Sequence, residues 1–126
     1  MDDPRVGVDL VDVAALEARF ADRDDLLAEV FTDAEIAYCR GQRRPWAHLA
    51  ARFAAKEALL KALTSGLSGT IRWRDIEVTR DPAGTPRLAV TGATAERLRR
   101  EGLREGSVSL SHTDTHAMAV VLLVPA

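Results

Sequence analysis

Residues 51–62 read Ala-Arg-Phe-Ala-Ala-Lys-Glu-Ala-Leu-Leu-Lys-Ala, and this run predicts the central element of the fold. Its alanines and leucines favour a helix, which we expect to begin near Pro45 because proline suits a first helical turn. Lys56, Glu57 and Lys61 interrupt apolar surroundings. Charges are costly to bury without compensation, so each should meet a specific partner. A metal ion together with phosphate groups is a good candidate for that partner.

Shorter elements precede this helix. Residues 5–10 predict a strand, and Gly7 inside it indicates a close approach by another backbone or by a ligand. The apolar spacing over residues 13–20 predicts a helix, and a second is expected over residues 25–30. Thr32-Asp-Ala-Glu35 is a capping box that should open a third helix running towards Arg40.

The spacing of apolar residues changes after the long helix. That helix should end at about Leu63, before a turn over residues 65–69. Strands are predicted over residues 76–80 and 88–91, a helix over 93–101, and a closing hairpin from strands 107–112 and 117–124. The fold class is therefore α+β, with a small antiparallel sheet packed against a long Ala-rich helix and shorter helices. We expect one domain that comprises residues 1–126.

Composition limits the classes of protein to consider. The chain is 47% hydrophobic but only 5% aromatic, so alanine, leucine and valine must fill the core. No apolar run reaches the roughly 18 residues that indicate a membrane span. The N-terminal residues are acidic and have no signal-peptide character. Cys39 is the single cysteine, which excludes an internal disulfide and favours a packed thiol over a nucleophile. A cytoplasmic protein fits these features.

The net charge is only −2, but the charges are segregated along the chain. Residues 1–35 contain 11 acids and 3 bases, whereas residues 36–74 contain 8 bases and a single acid, Glu57. This asymmetry indicates that the middle segment faces an anionic partner. The alternative is that the acidic and basic segments neutralise each other within one chain or across an oligomer.

Two carboxylates are candidates for metal binding. Glu57 and Lys61 lie one turn apart on one face of the predicted helix, although an ordinary surface ion pair would have the same spacing. Asp9 ends an apolar strand, where it could serve instead as an acid at the start of the next helix. Mg²⁺ usually takes one or two carboxylates and leaves positions for water and substrate phosphates. Asp9 and Glu57, brought together by packing, would supply that set.

His112-Thr-Asp-Thr-His116 allows other interpretations. If the strand continued, His112, Asp114 and His116 would point the same way and resemble a zinc set. A triad of Ser109 or Ser111 with His112 and Asp114 is weaker, because neighbours in a strand point to opposite faces. We favour a turn in which His112 donates to a phosphate or simply caps the turn.

Three motifs, in this order along the chain, resemble those of a known family. Gly7-Val-Asp9-Leu10, the run Arg52-Phe-Ala-Ala-Lys-Glu-Ala58 with Lys61, and Ser109-Leu-Ser-His112 resemble the short-type 4′-phosphopantetheinyl transferases. Within that family the holo-[acyl-carrier-protein] synthase subgroup is most similar. The likeness extends over nearly the whole chain and includes the stretches 73–78 and 84–88.

The resemblance implies transfer of the 4′-phosphopantetheine arm of coenzyme A to a serine of an apo acyl carrier protein, in support of fatty-acid or polyketide synthesis. The other product is adenosine 3′,5′-bisphosphate. By motif, Asp9 and Glu57 would bind Mg²⁺, and Lys61 would sit near the transferring phosphate. The residues expected to hold coenzyme A are Arg52, Lys61, Pro86 and His112.

The resemblance also implies partners. The small enzymes of this family are similar homotrimers with active sites at subunit boundaries, so Pro86 and His112 are expected to face Asp9 and Glu57 from a neighbouring chain. No nucleic acid and no membrane partner is expected.

Docking of the carrier fits the family pattern less well. The first helix of the family is expected to offer bases to an acidic carrier, but here it offers only Arg19 and Arg23 among several acids. Docking would use these two bases with apolar contacts such as Phe20, or the basic loop residues Arg40, Arg43 and Arg44. A less acidic carrier is the third possibility.

Two other functions remain as alternatives to the transferase. One is a non-enzymatic trimeric module that holds an anionic ligand or nucleotide on its basic segment. The other is a zinc hydrolase built on His112, Asp114 and His116.

Overall fold

The computed structural model describes residues 3–63 and 72–126. Within them the elements follow the predicted order, and the turn expected over residues 65–69 lies outside the described residues. The elements are β1 (Arg5–Asp12), α1 (Val13–Phe20), α2 (Asp24–Val30), α3 (Asp33–Arg40), α4 (Pro45–Ala62), a 3₁₀ turn (Trp73–Asp75), β2 (Ile76–Arg80), β3 (Pro86–Val90), α5 (Gly92–Arg100), β4 (Leu103–His112) and β5 (His116–Pro125).

The strands form two antiparallel sheets. A three-stranded sheet has the order β1-β5-β4, and β2 pairs with β3 in a separate two-stranded sheet. In the larger sheet Asp9 is in register with Ala119 of β5, which is in register with Leu110 of β4. The α+β class is confirmed. The strand near the N-terminus joins the C-terminal hairpin, so the sheet is not confined to the second half of the chain.

Helix α4 lies against the inner face of the larger sheet. Its alanines at positions 47, 50, 51, 54, 55, 58 and 62 are all buried. Small side chains permit close packing, and at Gly7 there is no space for a side chain at all. A Cβ atom there would lie 1.8 Å from the carbonyl oxygen of Ala58. The close approach predicted at Gly7 is therefore to the backbone of α4, next to Glu57.

Local capping explains where the N-terminal helices begin. The Asp12 side chain accepts a hydrogen bond from the Ala15 amide at the start of α1. At α3 the Thr32 side chain accepts from the Glu35 amide while the Glu35 carboxylate accepts from the Thr32 amide, which is the predicted capping box.

Lys56 finds its partner inside the protein rather than at a metal site. Its side chain is fully buried and forms a 2.8 Å ion pair with Glu35, which is also buried. The ammonium donates further to the carbonyl oxygens of Trp73, at 3.1 Å, and Ile76. The expectation of a metal and phosphates as the partner of this charge was wrong for Lys56, because α3 supplies the carboxylate.

The outer face of the larger sheet is apolar and exposed. On β1, Val6, Val8 and Leu10 are 63%, 50% and 65% exposed, and Met118 and Val120 of β5 continue the patch. We call these five residues the sheet face. Within the described ranges, no helix combines the length and the hydrophobicity needed to cross a membrane.

Candidate active site

Asp9 and Lys61 come together where β1 crosses α4. The Nζ of Lys61 donates to Oδ1 of Asp9 at 2.7 Å and lies 3.5 Å from the Val8 carbonyl oxygen. The Asp9 side chain is only 14% exposed, while that of Lys61 is 58% exposed. The hydrogen bond and the negative charge of Asp9 raise the pKa of Lys61, and Glu57 adds to this. Lys61 is therefore a protonated, exposed cation beside a nearly buried carboxylate.

Glu57 lies one turn before Lys61 on α4. Its Oε2 accepts a 2.5 Å hydrogen bond from the indole Nε1 of Trp73. Glu57 and Lys61 therefore have different hydrogen-bond partners. The contact between Gly7 and Ala58 brings β1 to the same turn of the helix. Asp9, two residues further along β1, thus shares this end of α4 with Glu57 and Lys61. We call these three residues the carboxylate site.

The donor set suits a hard divalent cation. Asp9 and the half-buried Glu57 could supply carboxylate oxygens, and Mg²⁺ commonly uses only one or two such groups. Across residues 3–63 and 72–126, no group of three or more His, Cys, Asp or Glu side chains is arranged to hold a metal ion. His112, Asp114 and His116 therefore do not form the zinc set considered above. Asp114 instead forms an ion pair with Arg44.

A second group of polar residues lies towards the start of α4. The rings of His48 and His112 are 5.1 Å apart, and a guanidinium nitrogen of Arg52 donates to the His48 carbonyl oxygen at 3.2 Å. The guanidinium groups of Arg52 and Arg80 lie 4.6 and 5.0 Å from the centre of the Tyr38 ring. We call these five residues the basic cluster.

Arg52 is the unusual member of the basic cluster. It is only 2% exposed, and its Nε has no hydrogen-bond partner among the described residues. A buried guanidinium nitrogen without an acceptor is energetically unfavourable and favours an anionic ligand nearby. A cavity of about 290 Å³ borders Arg52, Tyr38 and Arg80 and also Glu77.

Pro86 belongs to this second region. It is the first residue of β3 and is in register with Arg80 of the basic cluster. Of the six residues predicted for the site, Arg52, Pro86 and His112 thus lie in one region, and Asp9, Glu57 and Lys61 in the other. On α4, Arg52 precedes Glu57 by five positions, a rise of about 7.5 Å along the helix axis, and His48 precedes it by nine, a rise of about 13.5 Å.

Several of the carrier-docking residues predicted from the sequence have partners of their own. Phe20 is buried against Phe31 and Phe53, so the prediction of an apolar docking contact there was wrong. Arg23 makes two hydrogen bonds to Asp25, at 3.2 and 3.0 Å, and Arg40 lies 3.5 Å from Asp24. These bases are therefore already partly neutralised within the chain.

The sequence interpretation missed Trp73 and His48 as site residues. His48 precedes Arg52 by four positions on α4, and this helical spacing was a signal that could have indicated a shared face. Trp73 follows the undescribed residues 64–71, and its contact with Glu57 depends on tertiary packing. No local sequence pattern indicates that contact.

Comparison with known proteins places this arrangement in a family. The family model of the 4′-phosphopantetheinyl transferase superfamily matches residues 5–121. This chain belongs to that superfamily.

Superfamily members with a stated activity are similar to it over most of their length. A holo-[acyl-carrier-protein] synthase of Moorella thermoacetica is 47% identical over 117 residues, covering 93% of this chain and 91% of the relative. One from Geotalea daltonii is 41% identical, covering 93% and 94% of the two chains.

Solved structures of transferases from this superfamily share the fold. An ACPS–CoA complex of Chronobacterium ammoniagenes has a TM-score of 0.83 at 28% identity and covers 98% of both chains. The Helicobacter pylori holo-[acyl-carrier-protein] synthase in complex with coenzyme A has a TM-score of 0.79 at 27% identity. That match covers 94% of this chain and 98% of the other.

Proposed function

We propose that this protein is a holo-[acyl-carrier-protein] synthase that uses coenzyme A to modify an apo acyl carrier protein. The observation that carries the proposal is the meeting of Asp9 with Lys61 beside Glu57, in a chain of this superfamily. The coenzyme A complexes of similar structures support the co-substrate. The cytoplasmic location predicted from composition stays a prediction.

The reaction is a substitution at phosphorus. The serine hydroxyl oxygen of the carrier bonds to the phosphorus that bears the pantetheine arm, and the bond from that phosphorus to the bridging pyrophosphate oxygen breaks. Adenosine 3′,5′-bisphosphate leaves with the bridging oxygen. The serine proton passes to a base, either the Glu57 carboxylate or a water. Such reactions depend mainly on positioning and on neutralisation of charge.

Asp9 and Glu57 are the residues that would hold Mg²⁺. When bound, the ion supplies charge neutralisation at the pyrophosphate and polarises the attacked phosphorus. Lys61 has a different part. Its ammonium is exposed and mobile, so it can leave Asp9 and follow negative charge onto the departing phosphate. The hydrogen bond to Asp9 keeps it close to that position between turnovers.

The basic cluster would hold the 3′-phosphate end of coenzyme A. Among the described residues the Nε of Arg52 has no partner, Arg80 adds donors beside Tyr38, and His112 adds one beside His48. The resemblance to the family implies that the carboxylate site of one chain faces the basic cluster of another.

We further propose that the protein self-associates into a homotrimer. The sheet face is a contiguous apolar surface on two neighbouring strands, and such surfaces commonly mark interfaces between proteins. In such an assembly, as the family resemblance implies, Pro86 and His112 of one chain would face Asp9 and Glu57 of the next.

The direct test is the intact mass of an apo acyl carrier protein after incubation with this enzyme and coenzyme A, with and without Mg²⁺. We expect a gain of one phosphopantetheine arm that requires Mg²⁺. Glu57→Ala and Asp9→Ala should each abolish the gain while the circular dichroism spectrum is retained. Asp12→Asn is the matched control, because it removes an acid from the same strand but preserves the helix cap. Full activity in Glu57→Ala would refute the assignment of Glu57.

Calorimetry separates the transferase from a binding module. A module that only holds anions on its basic segment would bind coenzyme A equally well without Mg²⁺ and would leave the carrier mass unchanged. The similarity to named synthases over more than nine-tenths of the chain favours the enzyme.

A further inference from the structure

Trp73 is attached to the carboxylate site by its side chain. The indole Nε1 donates to Oε2 of Glu57 at 2.5 Å, and the ring lies against Phe53 with a centroid distance of 6.0 Å. The residue is half-buried, so solvent competes only partly with this hydrogen bond. The bond engages one oxygen of the carboxylate and restricts rotation of the Glu57 side chain.

The backbone of Trp73 is attached as well, to a different part of α4. Its carbonyl oxygen accepts a 3.1 Å hydrogen bond from the fully buried ammonium of Lys56. Lys56 is in turn paired with Glu35, and the second oxygen of Glu35 accepts from the Val78 amide at 2.8 Å. Adjacent residues of α4, Lys56 and Glu57, thus hold the backbone and the side chain of Trp73.

We propose that Trp73 is a positioning residue for Glu57, which fixes the carboxylate in the orientation that binds the divalent cation. This inference rests on the proposed function. Groups that hydrogen-bond a metal-ligating carboxylate set its orientation and strengthen metal binding. The buried ion pair of Lys56 and Glu35 extends this support, because it prevents the 3₁₀ turn that contains Trp73 from shifting relative to α4.

A purely structural role would have a different signature. If Trp73 only filled space beside Phe53, a phenylalanine would serve nearly as well, because it keeps an aromatic ring and loses only the N–H. Trp73→Phe therefore separates the hydrogen bond from the packing. Trp46→Phe is the matched control, because Trp46 lies in the first turn of α4 and packs against the core around the helix N-terminus.

We expect Trp73→Phe to raise the Mg²⁺ concentration needed for half-maximal carrier modification by about 10-fold or more, with the KM for the carrier unchanged. Trp46→Phe should leave the Mg²⁺ dependence as in the wild type. A Mg²⁺ dependence of Trp73→Phe within twofold of the wild type would overturn the proposal.

A fluorescence titration tests the same point without turnover and without altering the site. In Trp46→Phe, Trp73 is the only tryptophan, since the chain has two. Adding Mg²⁺ to this variant in the presence of saturating coenzyme A should change the Trp73 emission. In the double variant that also carries Glu57→Gln, the emission should stay unchanged. Calorimetric Mg²⁺ binding without any change in emission would refute the positioning role, as would the absence of Mg²⁺ binding.

The two proposals fail separately. If the wild type leaves every carrier unmodified, the transferase assignment fails, and the fluorescence titration still decides whether Trp73 reports on a metal at Glu57. If the carrier is modified but the titration and Trp73→Phe both show no effect, only the positioning role fails. Should Trp73→Phe not fold, the titration alone decides.

Discussion

Lys56 shows how much a single side chain can determine in this protein. Burial lowers the pKa of Lys56, and the negative charge and hydrogen bond of Glu35 oppose that shift. The ammonium meets one carboxylate and two carbonyl oxygens, so none of its three protons lacks an acceptor. The network joins α3, α4 and the start of β2 at one point, and the Trp73 carbonyl is part of it.

Removing one partner of this pair should be costly. We expect Lys56→Met to lower the free energy of unfolding by about 3–5 kcal/mol, because it leaves the Glu35 charge buried without compensation. Urea denaturation measures the change. Lys61→Met is the control on the same helix, since the Lys61 ammonium is 58% exposed and water can partly replace it beside Asp9, so its loss should be smaller. A loss in Lys56→Met no larger than in Lys61→Met would contradict this account.

His48 should make stability depend on pH. Its pKa is lowered first by burial and then by the nearby charges of His112, Arg52 and Arg80. The unfolded chain therefore binds a proton that the folded chain does not, and the free energy of unfolding should fall as the pH drops through about 6.5. The fall should stop once the folded imidazole is also protonated.

Thermal unfolding between pH 8 and pH 5 measures this dependence. His48→Phe keeps a ring beside Tyr38 but cannot be protonated, so its profile should be flatter than that of the wild type. His116→Phe is a control at an exposed histidine, and an equal flattening there would argue against His48 as the source.

At the scale of elements, the sequence predicts most boundaries to within two residues. The reason is that the helix starts depend on neighbours in the chain, as at Asp12, Thr32 and Pro45. The pairing of β1 with β5 was not predicted, because the two strands are separated by more than a hundred residues. The same limit applied to Lys56. Its burial indicated that a partner was needed, but only packing could identify Glu35.

The contact of β1 with α4 gives a test at this scale. Gly7→Ala should move the strand away from the helix, because the new Cβ would lie 1.8 Å from the Ala58 carbonyl oxygen and the backbone there cannot yield easily. We expect a loss of at least about 1–3 kcal/mol in the free energy of unfolding.

Activity should fall in the same variant, since Asp9 would separate from Lys61 and Glu57. Gly41→Ala is the control, because a Cβ at Gly41 would be 3.5 Å from its nearest neighbour, an ordinary contact. If Gly7→Ala melted at the wild-type temperature, the close contact between Gly7 and the Ala58 backbone would not be needed for stability.

At the scale of the whole molecule, two features lead us to expect self-association. They are the exposed apolar sheet face and the division of the site into two regions. A surface of this kind is unfavourable in water, and a second copy, the proposed partner, would also join the carboxylate site of one chain to the basic cluster of another. The motifs in the sequence led to both regions. The different sides of α4 on which they lie could not be read from the sequence, because these depend on which side chains the helix turns towards each strand.

Charge on the sheet face should dissociate the assembly. We expect Val8→Asp to convert a trimer to monomers in multi-angle light scattering, because each interface would bury an uncompensated carboxylate. Carrier modification should be lost in parallel, although Val8 lies on the opposite face of the sheet from α4. Arg100→Glu, at an exposed position on α5, should remain a trimer. A fully active monomeric Val8→Asp would show that one chain suffices.

The division of the site into two regions has a genetic consequence. If each catalytic unit draws one half from each of two chains, Glu57→Ala and His112→Ala damage different halves. Trimers assembled from a mixture of the two variants would then contain some subunit interfaces at which both halves of the site are intact. Two polypeptides that are each inactive alone should rescue one another after unfolding and joint refolding, and cells that express both should grow where neither single strain can.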